Sequence, residues 1–245
     1  MRMKDDHMKN GQLKAAYNVQ ISTSDQFIVD YSIHLNPTCT TTLPKHIEQH
    51  KATYHQCHES VTADVGYGSE ENCQYLEDNA IEGYVKYSSF DKQQSANHYK
   101  KAPFATQQLY YNEQKDCCYC PVGQTMNCIG SYEKQTATGF AQTIKKYQAQ
   151  NCNGCLLRGV CRQSRDNRII EVNHNLNRHK AIARERLNTE EGIKKRKQRC
   201  YDVEPVFVNI KSNHKFNRFM LREKRKVTIE LGLLALAQNL RKKAA

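Results

Sequence analysis

Ser60-Val61-Thr62-Ala63-Asp64-Val65-Gly66-Tyr67-Gly68-Ser69-Glu70-Glu71 is the stretch on which the fold of this chain turns. Ser60 to Asp64 reads as a short strand. Ser69 stands as an N-cap, with Glu70 and Glu71 in the first helical turn, where carboxylates suit the helix dipole. The helix runs through Tyr75 and Leu76 to about Asn79, and a further strand follows around Gly83 to Tyr87. Asp64 therefore lies at the carboxyl end of a strand, where α/β folds gather their active residues. Gly66 and Gly68 let the backbone turn sharply, so the carboxylate can face a metal. An ordinary turn or helix-capping aspartate would occupy the same place.

Upstream, Tyr17 to Thr23 and Gln26 to Ile33 alternate as strands around a turn at Ser24-Asp25, which makes an antiparallel hairpin. Asn36-Pro37 breaks that pattern, and Leu43 to Tyr54 is expected to be a short helix. Downstream, residues 91–104 are polar and loop-like, and a cysteine-rich stretch occupies about 109–165. Asn175 to Cys200 is charged and helical in character, and Phe207 to Ile210 and Val227 to Leu240 are apolar-periodic. This order predicts a mixed α/β sheet with an insertion before its final helices. The expected divisions are a core part at 1–108, a cysteine-rich insertion at 109–165 and a basic helical part at 166–245.

The chain has 245 residues, a net charge of +12 and 11 cysteines. Its most apolar stretch, Val227 to Leu240, is interrupted by Glu230, Gln238 and Asn239 and is too short to span a membrane. The polar opening MRMKDDHMKN has no signal-peptide character, so a cytoplasmic protein is expected, with cysteines serving metal rather than disulfides. From Asp166 to Ala245 there are 20 basic and 9 acidic residues, so nearly the whole positive excess sits in the last third. Such a region suits a polyanion, whose neutralised phosphates release counterions, and it would also suit a solvated helical surface.

Glu204 precedes Pro205 in Tyr201-Asp202-Val203-Glu204-Pro205-Val206-Phe207-Val208-Asn209-Ile210-Lys211. A proline in the first helical turn would put Glu204 at a helix entrance, with Lys211 on roughly the same face. That pair would serve a metal and a phosphate, or form an exposed helix pair. Cys152-Asn153-Gly154-Cys155 is a CxxC followed by Cys161, with Cys117, Cys118, Cys120 and Cys128 upstream. Four thiolates in a tetrahedron are the usual structural zinc arrangement. Buried or free thiols are the alternative, and Cys39, Cys57, Cys73 and Cys200 have no partner spacing.

Several blocks, in order, resemble the DDE transposases of bacterial insertion sequences: Lys9 to Lys14 running into Tyr17-Asn18-Val19-Gln20, Ala63 to Asn72, Cys120-Pro121-Val122-Gly123, Val203 to Phe207, and Leu233 to Lys242. The resemblance implies a ribonuclease-H-like fold, α/β with a mixed sheet flanked by helices, whose three acidic residues hold two divalent ions. Asp64 matches the second acid and Glu204 the third. Hard oxygen ligands suit Mg²⁺ or Mn²⁺. Arg199 matches the arginine ahead of the glutamate, and Lys211 the basic residue after it, both expected to meet DNA phosphate. Cys120 matches the family's cysteine, which selects Cys120, Cys152, Cys155 and Cys161 as the zinc set, with Cys117 or Cys118 as substitutes for the first.

The first aspartate of the family lies on a strand ahead of the entry segment in which this chain begins. Asp5 and Asp6 lie in a polar approach with no strand pattern and are not assigned its role. Val208 stands where relatives carry glycine. These departures predict an N-terminally truncated copy, inactive by itself. The expected partners are the DNA of transposon ends and a second copy or an intact transposase. The competing reading is a non-catalytic, zinc-stabilised DNA-binding protein or a regulator of transposition.

Overall fold

The computed structural model describes residues 2–5, 8, 11–95, 97 and 103–244. The chain forms two compact units, one of residues 1–88 with 182–245 and one of residues 89–181. The expected cysteine-rich segment 109–165 lies inside the second. The architecture is mixed α/β.

The first unit opens with β1 (Arg2–Asp5) paired antiparallel to β2 (Leu13–Ala16). Asp5 thus ends a strand, contrary to the loop expected there, while Asp6 lies outside the described residues. Pairing with β2 supplies what the polar sequence lacks, because strand formation follows from neighbours more than from intrinsic preference. β3 (Asn18–Ser24) and β4 (Phe27–His34) form the hairpin. Its turn residues are Asp25 and Gln26, at φ 49° and 67°, one position later than Ser24-Asp25. Two left-handed residues match the right-handed strand twist.

β4 holds this unit together. Ile28 packs with Val206, Ile210 and Ala235, and Ile33 with Val227 and Leu231. Those partners lie on α5 (Glu190–Val208), the π-helical turn Asn209–Asn213 and α6 (Lys224–Ala244). The Asn239 side chain accepts from the Ile28 N–H and donates to the Ile28 carbonyl, both at 2.8 Å. Ahead of α5, α4 (His174–Asn188) is followed by Thr189, whose hydroxyl caps α5 by accepting from Gly192 N–H at 3.0 Å.

α1 (Leu43–Tyr54) follows the hairpin as expected, and β5 (Ser60–Ala63) pairs in parallel with β6 (Glu82–Val85). Between them α2 (Glu70–Asp78) is capped by the Ser69 hydroxyl, which accepts from Asn72 N–H at 3.3 Å. Leu43, Ile47, Leu76, Ile81 and Val85 form their shared core. Among the described residues, backbone pairing leaves β3–β4 and β5–β6 as separate two-stranded sheets.

The second unit, after the short α3 (Phe90–Gln93), is an antiparallel meander of β7 (Tyr111–Asn112), β8 (Cys117–Tyr119), β9 (Thr125–Gln135), β10 (Ala141–Ala149) and β11 (Ile169–Val172). Met126 and Tyr147 are fully buried in its core, with Cys118, Ala149, Ile170 and Val172 around them.

Two predictions come from the first unit. A Cβ at Gly68 would meet the Lys86 carbonyl oxygen at 2.3 Å and Tyr87 Cα at 2.8 Å, both backbone atoms that cannot swing aside. Gly68→Ala is therefore expected to cost about 1–3 kcal/mol, read as a lower urea midpoint at unchanged slope. Burial pushes the His46 imidazole down to about 4; His34, His50 and His58 act in the same direction and Asp30 opposes them. Its ring nitrogens meet Ser22 and Ser32 hydroxyls at 2.7 Å. The unfolded chain takes up this proton near pH 6.5 and the folded chain only near 4, so this stability is present above pH 6.5 and is lost on acidification toward 4. A loss on the order of 2 kcal/mol is expected across that window. His46→Gln should flatten that part of the stability–pH curve, measured by chemical denaturation at stepped pH.

Candidate functional site

Asp64 stands directly after β5, with extended backbone at φ −77° and ψ 171°, and the 3-10 turn Val65–Tyr67 follows it. Gly68 lets that turn lie against the backbone after β6. The Tyr67 hydroxyl donates to the Gln20 side-chain carbonyl, and the Gln20 amide donates to Asn18 Oδ1 at 2.7 Å and meets Cys39 Sγ at 3.7 Å. Burial, reinforced by Cys39, pushes the Tyr67 phenol well above its usual range, so it stays protonated and donates. The turn is thus tied from below while the Asp64 carboxylate stays half-exposed. Gln20 and Cys39 carry no spacing signal that would single them out in the sequence.

Glu204 comes from α5, where one expectation is corrected. Pro205 lies inside the helix, not at its entrance, and Glu204 sits one turn from the helix end. Proline removes its own N–H bond and crowds the carbonyl four residues back, and the helix runs only three residues beyond it before passing into the π turn. The π-helical turn that follows contains Lys211. A π turn holds more residues than an α turn, so a seven-residue spacing no longer returns to one face. The Lys211 ammonium lies 5.7 Å from the Phe207 ring centroid, one turn away.

Arg199 brings the two acids together. Its Nη2 is 3.4 Å from Asp64 Oδ2 and its Nη1 is 3.7 Å from Glu204 Oε1. The guanidinium is mostly buried, whereas both carboxylates are more than half exposed. Each pair alone is worth at most about 1 kcal/mol. The geometric effect is larger than the energetic one, because residues 140 positions apart in sequence share one cation. Asp64, Arg199 and Glu204 are therefore gathered, and Lys211 is not bonded to them. Among the described residues no three Asp, Glu, His or Cys side chains converge as a ready metal site.

In the second unit, Cys120, Cys152, Cys155 and Cys161 all line one small cavity of about 30 Å³, together with Arg158, Arg162 and Arg168. The Arg168 backbone N–H donates to Cys152 Sγ at 3.4 Å, and its guanidinium donates to Cys161 Sγ at 2.9 Å. Cys117 and Cys118 lie on β8 and are buried, and neither lines that cavity.

Sequence reasoning missed a polar cluster in the same unit. Asp116 accepts from Lys145 Nζ at 2.8 Å, Tyr147 OH at 2.7 Å and Tyr111 OH at 2.8 Å, and these donors hold its carboxyl down at about 2. Tyr147 OH also meets His174 Nε2 at 2.7 Å. The residues come from four separate segments, so no local spacing announces them. Their evident work is to tie the β7–β8 turn to β10.

The helices include none long and apolar enough to cross a membrane among the described residues. No curated protein and no solved structure matches the chain. A family model described as a transposase DDE domain matches residues 119–244, more than half of the chain. The match takes in Arg199, Glu204 and the four cavity cysteines, whereas Asp64 lies before it. The chain thus belongs to the DDE transposases.

Proposed function

We propose that this chain carries the second and third acids of a DNA-transposing site, Asp64 and Glu204, on a ribonuclease-H-like core with a zinc-binding insertion. The observation that carries this reading is the Asp64–Arg199–Glu204 arrangement, in which a strand-end carboxylate and a helical one face the same guanidinium. The donor chemistry fits a hard divalent cation, since both carboxylates are exposed and oxygen-only. Asp64 and Glu204 would hold Mg²⁺ or Mn²⁺, which supplies activation of the attacking oxygen and charge stabilisation at a phosphodiester. Arg199 meanwhile holds the two carboxylates in place and offsets their mutual repulsion. Arg199 and Lys211 would meet DNA phosphate, and the basic last third favours such a partner.

Among the described residues no third acid stands with Asp64 and Glu204, so the chain assayed by itself is expected to be inactive. Strand transfer by the isolated chain on matched transposon ends with Mg²⁺, abolished by Asp64→Ala, would overturn that expectation. The acid pair has its own test in Mn²⁺ binding followed by electron paramagnetic resonance. Asp64→Asn or Glu204→Gln should each weaken it at least about tenfold, as loss of a ligand does no less than loss of an outer partner. Unchanged Mn²⁺ binding in both variants would remove the pair from the site.

The zinc reading rests on the shared cavity of Cys120, Cys152, Cys155 and Cys161 and on the N–H donors aimed at two of their sulfurs. Three arginines around four thiolates also suit the negative charge that a Zn²⁺–thiolate centre retains. Native mass spectrometry is expected to find about one zinc per chain, lost in the Cys152→Ser, Cys155→Ser double variant. A metal-free, fully folded wild-type chain would exclude the site.

A further inference from the structure

α5 divides its cations between two faces. On the inner side, Lys195 donates to Ser60 Oγ at 2.9 Å, lies 3.8 Å from Glu191 and stands over the Tyr84 ring at 5.3 Å. Arg199 is engaged with the two acids. On the outer side, Lys194 and Lys197 are exposed. They line a shallow open groove with Glu190, Ile193, Gln198 and Tyr201. Tyr201 is 72 % exposed, a large aromatic surface left in water.

This outer face adjoins Glu204, one member of the acid pair. At 100° per residue, Tyr201, Lys197, Lys194 and Ile193 all fall within about 80° of Glu204 around the helix. Tyr201 precedes Glu204 by three residues, about 4.5 Å along the axis, and Lys197 and Lys194 follow at about 10 and 15 Å. An aromatic ring next to the acid, with two lysines beyond it, forms a short track: a π-face first, then positive charge.

We infer that this face of α5 receives the end of the DNA strand beside the phosphate under attack, with Tyr201 stacking on an unpaired base and Lys197 and Lys194 meeting the phosphates beyond it. The inference rests on the proposed DNA-transposing site and specifies which form of DNA that site prefers. An exposed tyrosine on a helix can stack only on a base whose face is open, as at a frayed or overhanging end, because bases inside a duplex already stack on one another. The lysines contribute a sequence-independent attraction that salt weakens. Glu190, at the far end of the groove, repels phosphate and limits the track to the turns nearest Glu204.

The test is fluorescence anisotropy of the full chain, without added divalent ion, on a labelled blunt duplex and on the same duplex with a three-nucleotide overhang. Wild type is expected to bind the overhang about tenfold more tightly than the blunt end. Tyr201→Ala should erase that preference and leave blunt-end binding unchanged, whereas Tyr201→Phe, which keeps the ring, should retain it. Lys197→Ala should weaken both complexes and reduce the salt dependence of each. Equal binding of the two duplexes by wild type, or a preference that survives in Tyr201→Ala, overturns the inference and leaves the DNA-transposing site standing. Failure of wild type to bind either duplex overturns both.

Discussion

Burial of β4 against the C-terminal helices is the constraint from which the site follows. Ile28 and Ile33 lie near the amino terminus, while Val206, Ile210, Val227, Leu231 and Ala235 lie near the carboxyl terminus. Each of the isoleucine, valine and leucine side chains among these contributes about 1.5–3 kcal/mol when fully withdrawn from water. Closing a contact across so much chain costs little beyond closing a shorter one, because loop entropy grows only with the logarithm of length. Residues 89–181 can therefore interrupt the sequence of the first unit without preventing its closure. Once α5 is drawn onto the hairpin, Arg199 and Glu204 arrive beside the end of β5 where Asp64 waits. Apolar packing thus places the charged groups, and the long ion pairs at 3.4 and 3.7 Å then refine a position already determined.

Much of this was legible where one residue type does one local job. Leu43 to Tyr54 forms the expected helix to the residue, and Ser69 caps α2 through its hydroxyl. The hairpin also appears, with its turn one residue late because the left-handed pair is Asp25 and Gln26, neither a glycine nor an asparagine. The illegible parts depend on partners distant in sequence. Arg2–Asp5 is polar and becomes a strand by pairing with Leu13–Ala16. The cysteine-rich stretch holds four strands of a five-stranded meander, and a strand as exposed as β9 carries no apolar alternation to announce it. Pro205 suggested a helix start because proline prefers the first turn, yet α5 was already fifteen residues old when it reached Pro205.

The site divides in the same way. Asp64 stood out through its strand-end setting and Glu204 through its block of sequence, and the family match at 119–244 covers the second of these. That Arg199 touches both carboxylates could not be read from spacing, because it depends on how α5 crosses β5. Lys211 shows the converse. Seven residues promise a shared face in an α-helix, and the π turn at Asn209–Asn213 cancels the promise. Among the cysteines, spacing joined Cys152, Cys155 and Cys161, only the family resemblance added Cys120, and all four line one cavity.

The paired bonds of Asn239 to Ile28 have a consequence beyond holding a helix to a strand. They belong to a set in which side chains occupy the backbone of β4: Tyr54 OH donates to the Val29 carbonyl at 2.6 Å and the Gln49 amide to the Tyr31 carbonyl at 2.8 Å. A strand whose carbonyls and N–H groups are taken in this way offers few sticky groups to a strand from another molecule. In a chain with a net charge of +12, where repulsion already keeps molecules apart, these four side-chain bonds withdraw β4 from another route to aggregation, in which bare strand edges zip together.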